Sequence, residues 1–145
     1  MKPVPLLLAA GCGLLFACTS NVEKESPKRT LWDGVYSLEQ TERGAKIYAE
    51  HCITCHAANM RGGAGARSII GIEFQFRWKD KSMAELFDTV RTKMPPGNPG
   101  QLSEQQYIDV LSTILAANGF PTGADRELTT NTEALKELLI SWEKP

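Results

Sequence analysis

Residues 52–56 read Cys-Ile-Thr-Cys-His, and no other stretch restricts this chain as much. Three chemistries use two thiols at that spacing: a redox disulfide, half of a zinc site, and haem attachment, the last asking for the histidine as well. Both histidines of the chain, His51 and His56, lie here, with two of its four cysteines. The sequence around the motif has to decide among them.

The other two cysteines belong to a different kind of segment. The start, MKPVPLLLAAGCGLLFACTS, sets Lys2 ahead of an apolar run over residues 4–17, followed by small and polar residues. The run is short for a bilayer span and has the layout of a secretory signal. Leu15-Phe16-Ala17-Cys18 resembles a bacterial lipoprotein cleavage box, which implies that Cys18 becomes the lipidated first residue of the mature chain. Cys12, behind Ala9-Ala10-Gly11, is a second candidate with a shorter apolar core. An ordinary cut near Ala17, without lipid, is the alternative. On the lipoprotein reading, residues 1–17 are removed, residues 18–31 form a polar tether, and Cys18 anchors the rest to a membrane facing the periplasm.

Export narrows the meaning of the remaining pair. Structural bridges in an oxidising compartment join distant segments, and Cys52 and Cys55 have no other cysteine to reach. Zinc asks for about four ligands in a tetrahedron, and His51 and His56 flank the thiols too tightly to complete one. A thioredoxin-like site needs a βαβ pattern, which is missing. Haem attachment fits: Cys52 and Cys55 add to the vinyl groups of one haem, and His56 supplies an axial ligand to its iron. With 42% hydrophobic and 23% charged residues the chain suits one compact domain, and a net charge of −1 gives no electrostatic case for a nucleic-acid partner. After processing, the domain itself comes to about 90–110 residues, small for a self-sufficient core, so a haem would help to fill it.

A sixth iron ligand is found by elimination. His51 directly precedes Cys52 and cannot swing to the opposite haem face. Met60 follows His56 closely and suits a loop residue against the porphyrin edge, and Met83 near a helix start suits the core. Met94 stands in TKMPPGNPGQLS, where Pro95 and Pro96 stiffen an extended path and Gly97, Asn98, Pro99 and Gly100 permit turns. Such a loop can hold a thioether at a fixed distance from iron, and Met94 is the expected ligand.

Periodicity predicts helices around these points and no convincing strand. One runs from Ser37, with Gln40 at its capping-box position, to about Cys52, with Ala45, Ile47 and Tyr48 on one side. A glycine-rich loop follows, then the aromatic stretch 74–78. A second helix starts at Ser82, with Glu85 in the box. A third starts at Ser103, with Gln106 in the box, and Asn118-Gly119 closes it. The fold class is all-α, with the expected domain at 32–121. In the extension 122–145, Leu135, Leu138, Leu139 and Trp142 fall at helical spacing, which predicts a short helix packed on the domain.

Over roughly residues 32–121 the chain resembles class I c-type cytochromes. It is most similar to those associated with periplasmic quinoprotein (PQQ-dependent) dehydrogenases. The resemblance rests on LWDGVYSLEQTERGAKIYAEHCITCH, LFDTVRTKMPPGNPGQLSEQQY and LAANGFP. Cys52, Cys55, His56 and Met94 match the family's haem-binding positions. Gly44 and Tyr48 match its N-terminal helix, where the glycine lets the C-terminal helix cross closely. Two family features are absent: an aromatic near Thr113, and a proline near Arg67 whose carbonyl holds the haem histidine. The resemblance implies a class I cytochrome c fold, one covalent haem c, and redox partners such as a periplasmic dehydrogenase and a cytochrome oxidase.

His/Met ligation raises the haem potential and fills both axial positions, so the expected function is electron transfer rather than catalysis. Trp78 and Arg91 are candidate donors to the haem propionates, against a packed aromatic and a solvated cation. Lys79, Lys81 and Lys93 are candidates for docking at the haem edge, against an ordinary solvated face. The rival readings are a haem enzyme or gas sensor with an open distal face, and a disulfide oxidoreductase.

Overall fold

The computed structural model describes residues 29–63 and 65–144. The signal, Cys12, Cys18 and most of the tether lie outside the described residues. Helices dominate: α1 (Leu38–His51), α2 (Ile53–His56), α3 (Gly71–Trp78), α4 (Met83–Lys93), α5 (Glu104–Ala117) and α6 (Thr132–Lys136). A 3-10 turn, Leu31–Asp33, precedes α1.

The most extensive contact between elements joins α1 to α5. Gly44 makes it possible. A Cβ there would stand 1.9 Å from the Asp109 carbonyl oxygen and 2.5 Å from Thr113 Oγ1. Thr113 stands where the resemblance leads one to expect an aromatic, and its hydroxyl donates to the Thr41 carbonyl at 2.8 Å, joining the helices by a hydrogen bond. Beside the crossing, Asp109 is buried and accepts from Arg43, Gln40 and Gln105. A buried carboxylate needs that degree of pairing.

The start of α1 corrects one expectation. Ser37 caps the helix by accepting from the Gln40 N–H. The Gln40 side chain does not turn back to close a capping box. It is fully buried, donates to Asp109 and to the Leu128 carbonyl, and accepts from the Leu128 N–H at 2.8 Å. Ala45 is exposed, and the face buried on α5 is Gln40, Gly44 and Tyr48, flanked by Ile47. The boxes Ser82/Glu85 on α4 and Ser103/Gln106 on α5 are both closed as expected.

Helix α3 is not signalled by the sequence. Its N-cap is Ile70, which offers no side-chain acceptor, so no local start signal exists. Burial makes it: Phe74 and Trp78, one turn apart, both face the core.

The packed chain is wider than 32–121. Leu31, expected at the end of the tether, is fully buried. Arg29–Thr30 (β1) pairs in parallel with Leu138–Leu139 (β2). The helix of the extension covers only Thr132–Lys136, and Leu138 and Leu139 are in strand rather than helix. Beyond it Ile140 exchanges backbone hydrogen bonds with Asp80 and Lys81, each at 2.9 Å. Trp142 packs on Phe74 and Phe120, with ring centroids 5.9 and 5.2 Å away. The extension is therefore part of the core, as Leu135, Leu138 and Ile140 also show.

Candidate haem-attachment site

Helix α1 ends at His51 and the chain turns directly into α2, which carries the motif. Backbone hydrogen bonds from Cys55 (3.2 Å) and His56 (3.0 Å) to the Cys52 carbonyl close one turn. That turn stacks Cys52, Cys55 and His56 at helical i, i+3 and i+4 positions. Both thiols are free, Cys52 half-buried and Cys55 exposed. Burial, and then the neighbouring Cys55, push the Cys52 thiol up to about 11.

The segment after the motif is folded so as to hold His56. Tyr48, in the last turn of α1, donates its hydroxyl to the Ala57 carbonyl at 2.8 Å. Burial, and then Cys52, push that phenol up to about 12, so it stays a donor at neutral pH. The Gly62 N–H bonds the His56 carbonyl, and Gly63 and Ala66 exchange a reciprocal pair of backbone bonds. Gly62 takes φ +85°, and a Cβ there would meet the Ala66 carbonyl oxygen at 2.4 Å. The loop so closed sets the Arg67 carbonyl 3.2 Å from His56 Nδ1. The partner left open by the missing proline is therefore a backbone carbonyl after all.

Met94 stands on a separate element, as the C-cap of α4, with its N–H bonded to the Val90 carbonyl at 2.9 Å. It is half-buried. Tyr107, in the first turn of α5, donates to the Met94 carbonyl at 2.8 Å and accepts from the Gly100 N–H at 3.0 Å. The role of Tyr107 does not show in the sequence, because periodicity cannot see a hydroxyl. Asn118, at the far end of α5, donates to the Ile69 carbonyl and accepts from the Gly71 N–H. Thus α5 ties the histidine segment, through α1 and Ile69, and the methionine loop, through Tyr107.

The remaining candidates are placed as follows. Met60 and Met83 are core residues, and His51 is exposed beside Glu50. Trp78 is buried with the Arg77 guanidinium 5.8 Å above its ring. Arg91 pairs with Asp88 and Glu104. Lys79 and Lys93 are exposed, and Lys81 pairs with Glu85. Ile72 and Phe76, 75% and 91% exposed, form an apolar face on α3 that the sequence did not single out.

The donor set suits a covalent haem: two free thiols one turn apart, followed by an imidazole whose Nδ1 is already engaged. Such a contact orients a metal-bound histidine and leaves Nε2 to face the metal. Among the described residues no group of three or more His, Cys, Asp or Glu could hold a metal ion instead.

Comparison with known proteins agrees. No curated protein matches the chain. A solved structure of similar fold is the sulfane dehydrogenase SoxCD from Paracoccus pantotrophus, with a TM-score of 0.51 at 19% identity. The likeness covers 75% of this chain and 61% of that one, so this chain spans less than two thirds of that chain's length. Residues 39–112, just over half of the chain, match the family model described as cytochrome C oxidase, cbb3-type, subunit III. The chain belongs to that family, and its domain is a class I c-type cytochrome: a helical electron-transfer fold that binds haem covalently.

Proposed function

We propose that this chain is an electron carrier with one haem, held covalently by Cys52 and Cys55 and ligated by His56 and Met94. It passes single electrons from a periplasmic dehydrogenase to a downstream acceptor such as a terminal oxidase. The observation that carries the reading is the 3.2 Å contact between His56 Nδ1 and the Arg67 carbonyl. That contact fixes the tautomer, leaves Nε2 as the nitrogen free to ligate and makes the imidazole a stronger donor. When bound, the haem supplies a one-electron iron couple. Met94 would supply the second iron ligand, a thioether, which would favour the reduced iron. No residue is then required to move a proton.

The oxidase in the family model's description fits an acceptor of that class. The expected location is the periplasmic face of a membrane, with Cys18 acylated and residues 19–28 leading to the packed domain. Each buried methylene of the acyl chains contributes about 0.8 kcal/mol to that anchoring. Cys18→Ser should move the haem protein from the membrane fraction to the soluble one. If the wild-type chain is already soluble, simple secretion replaces lipidation.

Attachment is tested by acid-acetone extraction. Haem should stay with the wild-type polypeptide and be absent from the Cys52→Ala/Cys55→Ala variant. Extractable haem, or none in the wild type, would remove the cytochrome reading.

A further inference from the structure

We propose that Tyr107 is the positioning residue that keeps Met94 on the iron, an inference that rests on the ligation proposed above. The loop from Met94 to Gly100 holds three prolines and so has few N–H groups with which to secure itself. Its internal backbone bond runs from the Asn98 N–H to the Pro95 carbonyl, at 3.0 Å. The two ends meet on Tyr107 instead. A phenol hydroxyl has one proton to give and can accept in return. Tyr107 gives to the Met94 carbonyl and accepts from the Gly100 N–H, drawing both ends of the loop to one oxygen.

The backbone of Met94 is therefore fixed from both sides and from two helices. Its N–H is bound into α4, and its carbonyl is bound to α5. The direction in which the thioether leaves the backbone is set by that pair of bonds. Tyr107 itself has little freedom, being 3% exposed in the first turn of α5 among the core residues Ile108, Val110 and Leu111. A residue that only filled space would be served equally by phenylalanine, which separates the two roles.

The test is Tyr107→Phe in the full-length holoprotein, read by carbon monoxide binding to the reduced form and by the far-red thioether-to-iron band of the oxidised form. Loss of the clamp should speed carbon monoxide binding about tenfold, the equivalent of ~1.4 kcal/mol, and weaken the band on warming. A merely structural tyrosine would lower the melting temperature and leave both readings at wild-type values, which would overturn the proposal. The wild type is recorded first. If it lacks the band and binds carbon monoxide rapidly, Met94 is not the ligand, and the ligation reading and this one fall together. If the band is present and Tyr107→Phe matches the wild type in rate, only the role of Tyr107 falls. Should Tyr107→Phe fail to fold, amide exchange in the wild type decides. Protection of the Gly100 N–H at least tenfold above that of Gly97 supports the clamp, and equal exchange overturns it.

Discussion

Residues 44–69 and residues 94–107 each carry one proposed axial ligand, and the two segments are built on different plans. His56 sits in a helical turn continuous with α1, with Tyr48 holding the next residue and the loop 62–67 returning a carbonyl to its ring. Behind that turn stands the α1–α5 crossing, with its buried Asp109 network. Met94 ends a helix and enters a proline-rich loop drawn to the body of the protein by one hydroxyl. A ligand secured by many contacts that are also the fold can be lost only with the fold. A ligand whose loop is drawn in by a single side chain can exchange while the rest stands. On the proposed ligation, the histidine side is where stability resides, and the methionine side is where potential and access to the iron would be adjusted.

The largest effect that would break this contrast lies at the crossing. Gly44→Val has nowhere to place its side chain, since even a Cβ meets Asp109 backbone at 1.9 Å. The helices must part, and denaturant titration should show a loss of about 3 kcal/mol or more. A loss under about 1 kcal/mol would mean that α1 and α5 do not pack so closely.

Next comes the methionine side. Met94→Ala should leave haem attachment and helix content in place while the potential falls by on the order of 100 mV, within the ~0.8 V range that axial ligands command. Its denaturation midpoint should move far less than that of Gly44→Val. Equal destabilisation by the two would erase the division of labour.

The smallest effect sharpens the comparison. Tyr48→Phe removes the phenol from the Ala57 carbonyl, which keeps the Met60 N–H as a donor, and should cost about 1 kcal/mol. Because the histidine segment has other supports, the far-red band and carbon monoxide binding should stay at wild-type values. The chemically identical change at Tyr107 is expected to alter both. Two buried tyrosines losing one hydroxyl each would then differ in kind, not only in size.

That contrast also explains what could be read from the chain. The attachment motif is contiguous, so Cys52, Cys55 and His56 stand out without any knowledge of the fold. The boxes at Ser82/Glu85 and Ser103/Gln106 close within one turn, and they too were legible. Gln40 misled because its partners, Asp109 and Leu128, are far off in sequence and outcompete the local box. Leu138 and Leu139 misled in the same way: their helical spacing yields to pairing with Arg29 and Thr30 at the other end of the described chain. Helix α3 lacks a cap and is made by the burial of Phe74 and Trp78. The acceptor of His56 Nδ1 is a main-chain oxygen, which no side-chain pattern reports. What could not be read is consistently what depends on contact between remote segments.

The central claim, that His56 and Met94 ligate one haem and leave no open face, is tested most directly by the far-red absorption of the oxidised protein. The spectrum should be recorded for wild type and Met94→Ala side by side. A weak thioether-to-iron band is expected in the wild type and none in the variant. A wild type without the band, or a variant that keeps it, would contradict the account and put another ligand, or an open distal face, in place of Met94.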